Sequence, residues 1–185
     1  MSKIKSKRVS KAEWLDTALA VLETEGVEGV RVEKLARQLG IAKSGFYWHF
    51  KDRQDLLKQM LDYWAHEYTA VVTENPELNQ GNPKQRLEQT MRMIQEYGLT
   101  KLEVVVRAWA QSDPIAAKVL NKVYKMRLDF LREIFKELGF RGDELEMRTQ
   151  LFVCYHTWES SMYGKQPKTQ RDKLLKLRLR LLTQK

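Results

Sequence analysis

Leu35-Ala36-Arg37-Gln38-Leu39-Gly40-Ile41-Ala42-Lys43-Ser44-Gly45-Phe46-Tyr47-Trp48-His49-Phe50 is the stretch on which the reading of this chain turns. It reads as a helix closed by Gly40, a three-residue turn and a second short helix. That second helix strings together Tyr47-Trp48-His49-Phe50, where a core-facing helix needs an apolar residue only at every third or fourth position. Some of these side chains must therefore face outward. Tyr, Trp and His exposed side by side, downstream of a basic N-terminus, suit DNA as the partner.

Composition agrees. The 185 residues suffice for one large domain, or a small one with a larger one, and a hydrophobic content of 43% supplies a packed core. The apolar runs fall well short of the ~18–20 residues of a membrane span. Ser, Lys and Arg persist to Lys11, so no signal-peptide core is expected. A cytoplasmic protein without a membrane partner is the expectation. The single cysteine, Cys154, excludes an internal disulfide framework and fits a reducing compartment.

The net charge of +9 favours a polyanion, and both nucleic acid and an anionic membrane surface qualify. The charge sits at the two ends. Lys3, Lys5, Lys7, Arg8 and Lys11 occur with no acid among them, and the last stretch, from residue 165, sets Asp172 alone against eight Lys and Arg. A disordered basic tail at one end and a solvated helix face at the other would look the same.

Helical periodicity runs through nearly every segment and no useful β-pattern appears, so the fold class is all-α. Ser10, with Glu13 three residues on, forms a capping box for a first helix bearing Trp14, Leu15, Ala18, Val21 and Leu22 and ending near Gly26. Val32, Leu35, Ala36 and Leu39 mark a second helix, and residues from about 42 to 49 a third. Asp52 caps a fourth, carrying Leu56, Leu57, Met60, Leu61, Trp64 and Tyr68. After a polar loop, Asn75-Pro76 to Asn82-Pro83, helices are predicted at about 83–97, 101–111, 114–138, 143–163 and 168–183. Asp113-Pro114 starts one of them, and Leu138-Gly139 and Tyr163-Gly164 are stops.

The first three helices carry the chemistry. A short helix fits the ~12 Å major groove when a preceding helix braces it, and Leu35, Ala36, Leu39 and Ile41 supply a small apolar crossing. Lys43 and Ser44 open the reading helix, where a phosphate or base edge can be met. Tyr47, Trp48 and His49 can hydrogen-bond phosphates and pack on sugars or thymine methyls, while Phe46 and Phe50 are better core anchors. Lys51 adds charge, and Arg53 can reach a further phosphate. The plainer alternative is that Tyr47 and Trp48 bury themselves against the fourth helix.

The run Ile41-Ala42-Lys43-Ser44-Gly45-Phe46-Tyr47-Trp48-His49-Phe50-Lys51-Asp52-Arg53-Gln54-Asp55-Leu56-Leu57 resembles the signature of the TetR family of bacterial transcriptional regulators. Small, basic, small pair, apolar, Tyr, aromatic, His and Phe come in that order, followed by a basic residue three beyond the Phe and a leucine pair. The resemblance covers roughly residues 10–60. Later, Arg107-Ala108-Trp109-Ala110 before Asp113-Pro114 agrees only weakly. It implies a helix-turn-helix head at 1–52, with the motif at about 31–50, and a larger helical effector-binding and dimerisation domain at 53–185, about nine helices in all. It also implies a homodimer on a palindromic operator of double-stranded DNA, a repressor released when a small-molecule effector shifts the fourth helix. Two departures stand out. The small pair is Ser44-Gly45 where Gly-Thr is common, and Val30-Arg31 replaces the usual Ser/Thr before the brace helix, with Arg31 as a substitute phosphate contact.

The same resemblance would pair the last two long helices with their twins. Leu151, Tyr155 and Met162 with Leu174, Leu177 and Leu181 suit that face, although Lys173 to Arg180 could also form a membrane-surface helix. Trp64, Tyr68, Met91, Tyr97, Trp109, Tyr124, His156 and Trp158 are candidates for an effector pocket, and their number suggests an apolar ligand. The plainer reading of each is an ordinary core or surface residue, and of Cys154 an inert buried thiol. His49, His66 and His156 lack partners at metal-ligand spacing, and no phosphate-cradling Gly loop or nucleophile elbow occurs. No enzyme, metal or cofactor is expected. The remaining alternative is a basic protein that coats DNA without sequence preference.

Overall fold

Ser10 opens the first helix, α1 (Lys11–Gly29), in the computed structural model of the chain, which describes residues 9–163 and 166–184. The basic residues Lys3, Lys5, Lys7 and Arg8 and the expected stop at Gly164 lie outside the described residues. The capping box is formed: the Ser10 amide donates to Glu13 Oε2 at 2.8 Å, and the Glu13 amide donates to Ser10 Oγ at 3.2 Å. Gly26, with φ of 69°, kinks this helix where an end was predicted, and helical geometry resumes to Gly29. A side chain would find open space there, so only its left-handed backbone asks for glycine.

The remaining helices follow closely. They are α2 (Val32–Leu39), a six-residue α3 (Lys43–Trp48), α4 from Arg53, α5 (Pro83–Tyr97), α6 (Glu103–Ala110), α7 (Pro114–Glu137), α8 (Gly142–Tyr163) and α9 (Lys168–Thr183). Helix α4 is α-helical over Arg53–Ala65, widens to a π-turn over His66–Ala70 and closes with Val71–Thr73. A short 3₁₀ turn, Pro76–Asn79, sits in the polar loop. No strand occurs among the described residues.

The chain divides into two compact units. One takes the described residues up to Trp64 with Val105–Val119; the other takes Ala65–Val104 and those from Leu120 onward. The first is organised by aromatics. Phe46 is fully buried edge-on to Trp14, with centroids 5.5 Å apart, and stacks on Phe50 at 5.1 Å. Burying each such ring contributes about 1.5–3 kcal/mol and fixes α3 on α1. In the second unit Leu87 and Met91 of α5, Ile134 and Phe135 of α7, Phe152 of α8 and Leu175 and Leu179 of α9 share one core.

Candidate nucleic-acid interface and effector cavity

The turn between α2 and α3 is built by Gly40. Its φ of 68° and ψ of 32° place it in the left-handed region, and the Ile41 amide reaches back to the Ala36 carbonyl at 3.1 Å. The reversed chain enters α3, which is a 3₁₀ helix rather than the α-helix expected from its periodicity. Six residues with Gly45 among them give the α form little to hold it. The Gly45 amide donates to the Ala42 carbonyl at 3.0 Å, and the His49 amide to that of Phe46 at 3.0 Å.

Burial decides which aromatics face out. Phe46 and Phe50 are the buried anchors, as predicted, whereas Tyr47 is 58% and Trp48 86% exposed. The reading in which these two pack against the fourth helix therefore fails. Lys43, Ser44 and Lys51 are exposed on the same short segment, and Arg31 is exposed before α2. Lys43 pairs with Glu33 of α2, and the hydrogen bond between them lowers the Glu33 carboxyl and raises the Lys43 amine from their ordinary values. Glu33 is thus a neighbour of the reading segment that sequence reasoning passed over. Arg31 donates from Nε to the Glu28 carbonyl at 3.0 Å.

Two expected contact residues hold the head together. His49 is half-buried, its Nε2 3.0 Å from the Val9 carbonyl. Arg53 donates from Nε to the Val30 carbonyl and from Nη2 to the Val27 carbonyl, both at 2.7 Å. Both carbonyls lie at the C-terminal end of α1, and that of Val27 also accepts from the Val30 amide at 3.1 Å.

The second unit contains an open pocket of about 450 Å³. Tyr68, Thr69, Val72 and Thr73 of α4 line it, the π-turn having carried the first two there, with Ile94, Leu99, Arg127, Phe130, Phe152 and His156. Of the eight pocket residues expected from sequence, Tyr68 and His156 line it. Trp64 and Met91 are fully buried core, while Tyr97 and Trp158 are exposed. Trp109 belongs to the other unit, where its Nε1 donates to Asp113 Oδ2 at 3.1 Å, and Tyr124 is half-buried off the lining. Cys154 is exposed rather than buried.

Arg127 and Glu103 were missed. They form an ion pair, Nη1 to Oε2, of 2.9 Å, with the Glu103 side chain fully buried. Arg127 also donates from Nε to Thr69 Oγ1 at 3.1 Å. The signal was present: Leu120, Val123, Arg127, Leu131 and Ile134 share one helical face, and a lone cation in that series is out of pattern. His156 is wholly buried, its Nδ1 2.8 Å from the Phe152 carbonyl, and burial holds its pKa down at about 3.

On α8 the positions 147, 151, 158 and 162 form one stripe, and Met147, Leu151, Trp158 and Met162 are all exposed. Leu177 and Leu181 of α9 are exposed as well, while Tyr155 and Leu174 are half-buried. Arg148 links the two helices by donating to the carbonyls of Leu181, Leu182 and Gln184. Among the described residues no helix is long and apolar enough to cross a membrane, and no group of three His, Cys, Asp or Glu could hold a metal ion.

The profile described as bacterial regulatory proteins, tetR family, matches residues 15–60. An uncharacterised HTH-type transcriptional regulator from the dhlA 5′ region of Xanthobacter autotrophicus is 31% identical over 148 residues, which is 76% of this chain and 73% of that protein. The chain belongs to the TetR family. This TetR-family member is accordingly a transcriptional regulator with a helix-turn-helix DNA-binding head. Its fold also matches solved structures. One is AibR in complex with isovaleryl coenzyme A and operator DNA, with a TM-score of 0.68 and 19% identity over 93% of this chain and 97% of that one. Another is FadR from Bacillus subtilis in complex with stearoyl-CoA, with a TM-score of 0.68 and 19% identity over 95% and 98%.

Proposed function

We propose that this regulator is a homodimeric repressor that holds a palindromic operator and leaves it when a small, largely apolar effector fills the pocket. The observation that carries the reading is the exposure of Trp48 and Tyr47 on a basic turn, in a chain whose other unit keeps an apolar pocket of its own. A ligand-controlled switch requires two such separate sites. The solved AibR and FadR complexes support the pairing, since the first holds both DNA and a ligand and the second a ligand.

Residues 1–52 are the DNA-binding part and 53–185 the effector and dimerisation part. Lys43, Ser44, Tyr47 and Trp48 contact the major groove; Arg31 and Lys51 meet phosphates, and His49 and Arg53 hold the reading segment in place. Two heads enter successive major grooves about one turn (~34 Å) apart. The exposed apolar stripe of α8 with Leu177 and Leu181 of α9 is the dimer face. The protein works in the cytoplasm and catalyses nothing. Effector coupling is of the order of 1–3 kcal/mol.

The test is retention of fragments of the source genome by the purified protein, with competitor DNA at near-physiological salt, beside Trp48→Ala. A few discrete fragments held by the wild type and lost by the variant are expected. Uniform retention that vanishes with salt in both proteins would overturn the reading in favour of a sequence-indifferent DNA coat.

A further inference from the structure

Two buried polar atoms of residues lining the pocket have no hydrogen-bond partner among the described residues: Nε2 of His156 and Nη2 of Arg127. Their chemistry differs, and the difference can be read from their neighbours. The Phe152 carbonyl can only accept, so the hydrogen of the His156 ring lies on Nδ1, 2.8 Å from it. Full burial, with Arg178 and Arg127 adding their charge, keeps the ring neutral. A neutral ring with its hydrogen on Nδ1 presents a lone pair at Nε2. Nη2 of Arg127 is the opposite, a donor left over after Nη1 has met Glu103 and Nε has met Thr69.

Arg127 is paired with Glu103 and Arg178 with Glu159, so each of the two cations near His156 has its own counter-charge before any ligand arrives. A hydrocarbon would fill it and leave both polar atoms unmet. A carboxylate would satisfy Nη2, face the lone pair of Nε2 and bury a charge beside cations that already have their carboxylates. A neutral hydroxyl compound satisfies both. Tyr68, Phe130 and Phe152 supply aromatic walls around it.

We propose that the pocket takes a neutral, largely apolar molecule of the phenol or aromatic-alcohol class, which donates its hydroxyl hydrogen to Nε2 of His156 and offers an oxygen to Nη2 of Arg127. The inference rests on the reading of this pocket as the effector site and names what that effector is.

The test compares three probes with one ring system by titration calorimetry on the full chain: naphthalene, 1-naphthol and 1-naphthoate. 1-Naphthol is expected to bind about tenfold or more tighter than either of the others. In His156→Phe its advantage over naphthalene should disappear, with the helical circular dichroism unchanged. Equal or tighter binding of naphthoate or naphthalene by the wild type overturns the ligand class and leaves the effector reading standing. Binding of none of the three also overturns the class. Binding of 1-naphthol without release of the retained genomic fragments supports the class and removes the effector reading instead.

Discussion

The guanidinium of Arg53 donates from Nε to the carbonyl of Val30 across 2.7 Å, joining the first residue of α4 to the end of α1. With the second bond to Val27, also 2.7 Å, it closes the back of the reading head. A basic residue at this place in the motif is therefore a brace before it is a phosphate contact.

Replacing Arg53 by Leu removes both bonds, the Val27 carbonyl keeping only the Val30 amide, and charged hydrogen bonds of this kind contribute about 1.5–3 kcal/mol. Thermal unfolding should fall by several degrees, at roughly 2–4 °C per kcal/mol for a chain of this size. Arg53→Lys, with one compact ammonium in place of a fork, should lie between the two. An unchanged melting temperature with weakened operator binding would make Arg53 a DNA contact after all.

Trp48 and Tyr47 invite the reverse pattern. Both are exposed, so Trp48→Ala and Tyr47→Ala should leave unfolding unchanged while each lowers operator affinity roughly tenfold. Neither is charged, so the dependence of affinity on salt should keep its slope. Lys51→Ala, removing one phosphate contact, should reduce that slope by about 1. A variant of Trp48 that binds as the wild type does would exclude this face as the DNA surface.

The head was legible in the sequence because its signals are local. Gly40 and the Ser10–Glu13 box depend on residues within one turn of themselves, and the order Phe46-Tyr47-Trp48 in a short helix already forces some of its aromatics outward. The bracing bonds of Arg53 were not legible for the opposite reason, since their acceptors lie 23 and 26 residues away. The pocket was largely illegible. Trp64, Met91 and His156 each sit within a helix at a position that suits a buried face, and only the packing of several helices makes two of them core and one a lining residue. The π-turn over His66–Ala70, which carries Tyr68 and Thr69 to the lining, has no signature of its own in the residues.

His156 gives the protein a pH dependence whose sign can be derived. Burial, with Arg178 and then Arg127 contributing, lowers its pKa from 6.5 to about 3 in the folded chain. Between those values the unfolded chain takes up a proton that the folded chain refuses. This contribution to stability is complete above pH 6.5 and is lost as pH falls towards 3, by about 1.4 kcal/mol per pH unit. Glu146, whose carboxyl is held low by Arg132, adds to the loss in acid, so the comparison must be with a variant. His156→Gln has no proton to gain. The difference in unfolding free energy between the two proteins should be level above pH 7 and decline below pH 6. A difference that stays level down to pH 4.5 would mean that His156 titrates normally and is reached by water.

Leu181 tests the dimer. At 61% exposure on α9 it stabilises a single chain little, and Leu181→Glu should leave the helical content of the monomer intact. If the α8 and α9 faces meet their twins about a two-fold axis, the same residue occurs in the interface twice, so one substitution buries two carboxylates. Sedimentation should then show the wild type at twice its 21.9 kDa and the variant at that mass alone. Lys173→Glu, on an exposed position of the same helix, should leave the dimer whole and so separate charge from place. Operator affinity should fall with the dimer, because the second head would no longer be held at high effective concentration beside its half-site. A Leu181→Glu protein that still sediments as a dimer would remove α9 from the interface and leave the exposed stripe of α8, from Met147 to Met162, as the face to test next.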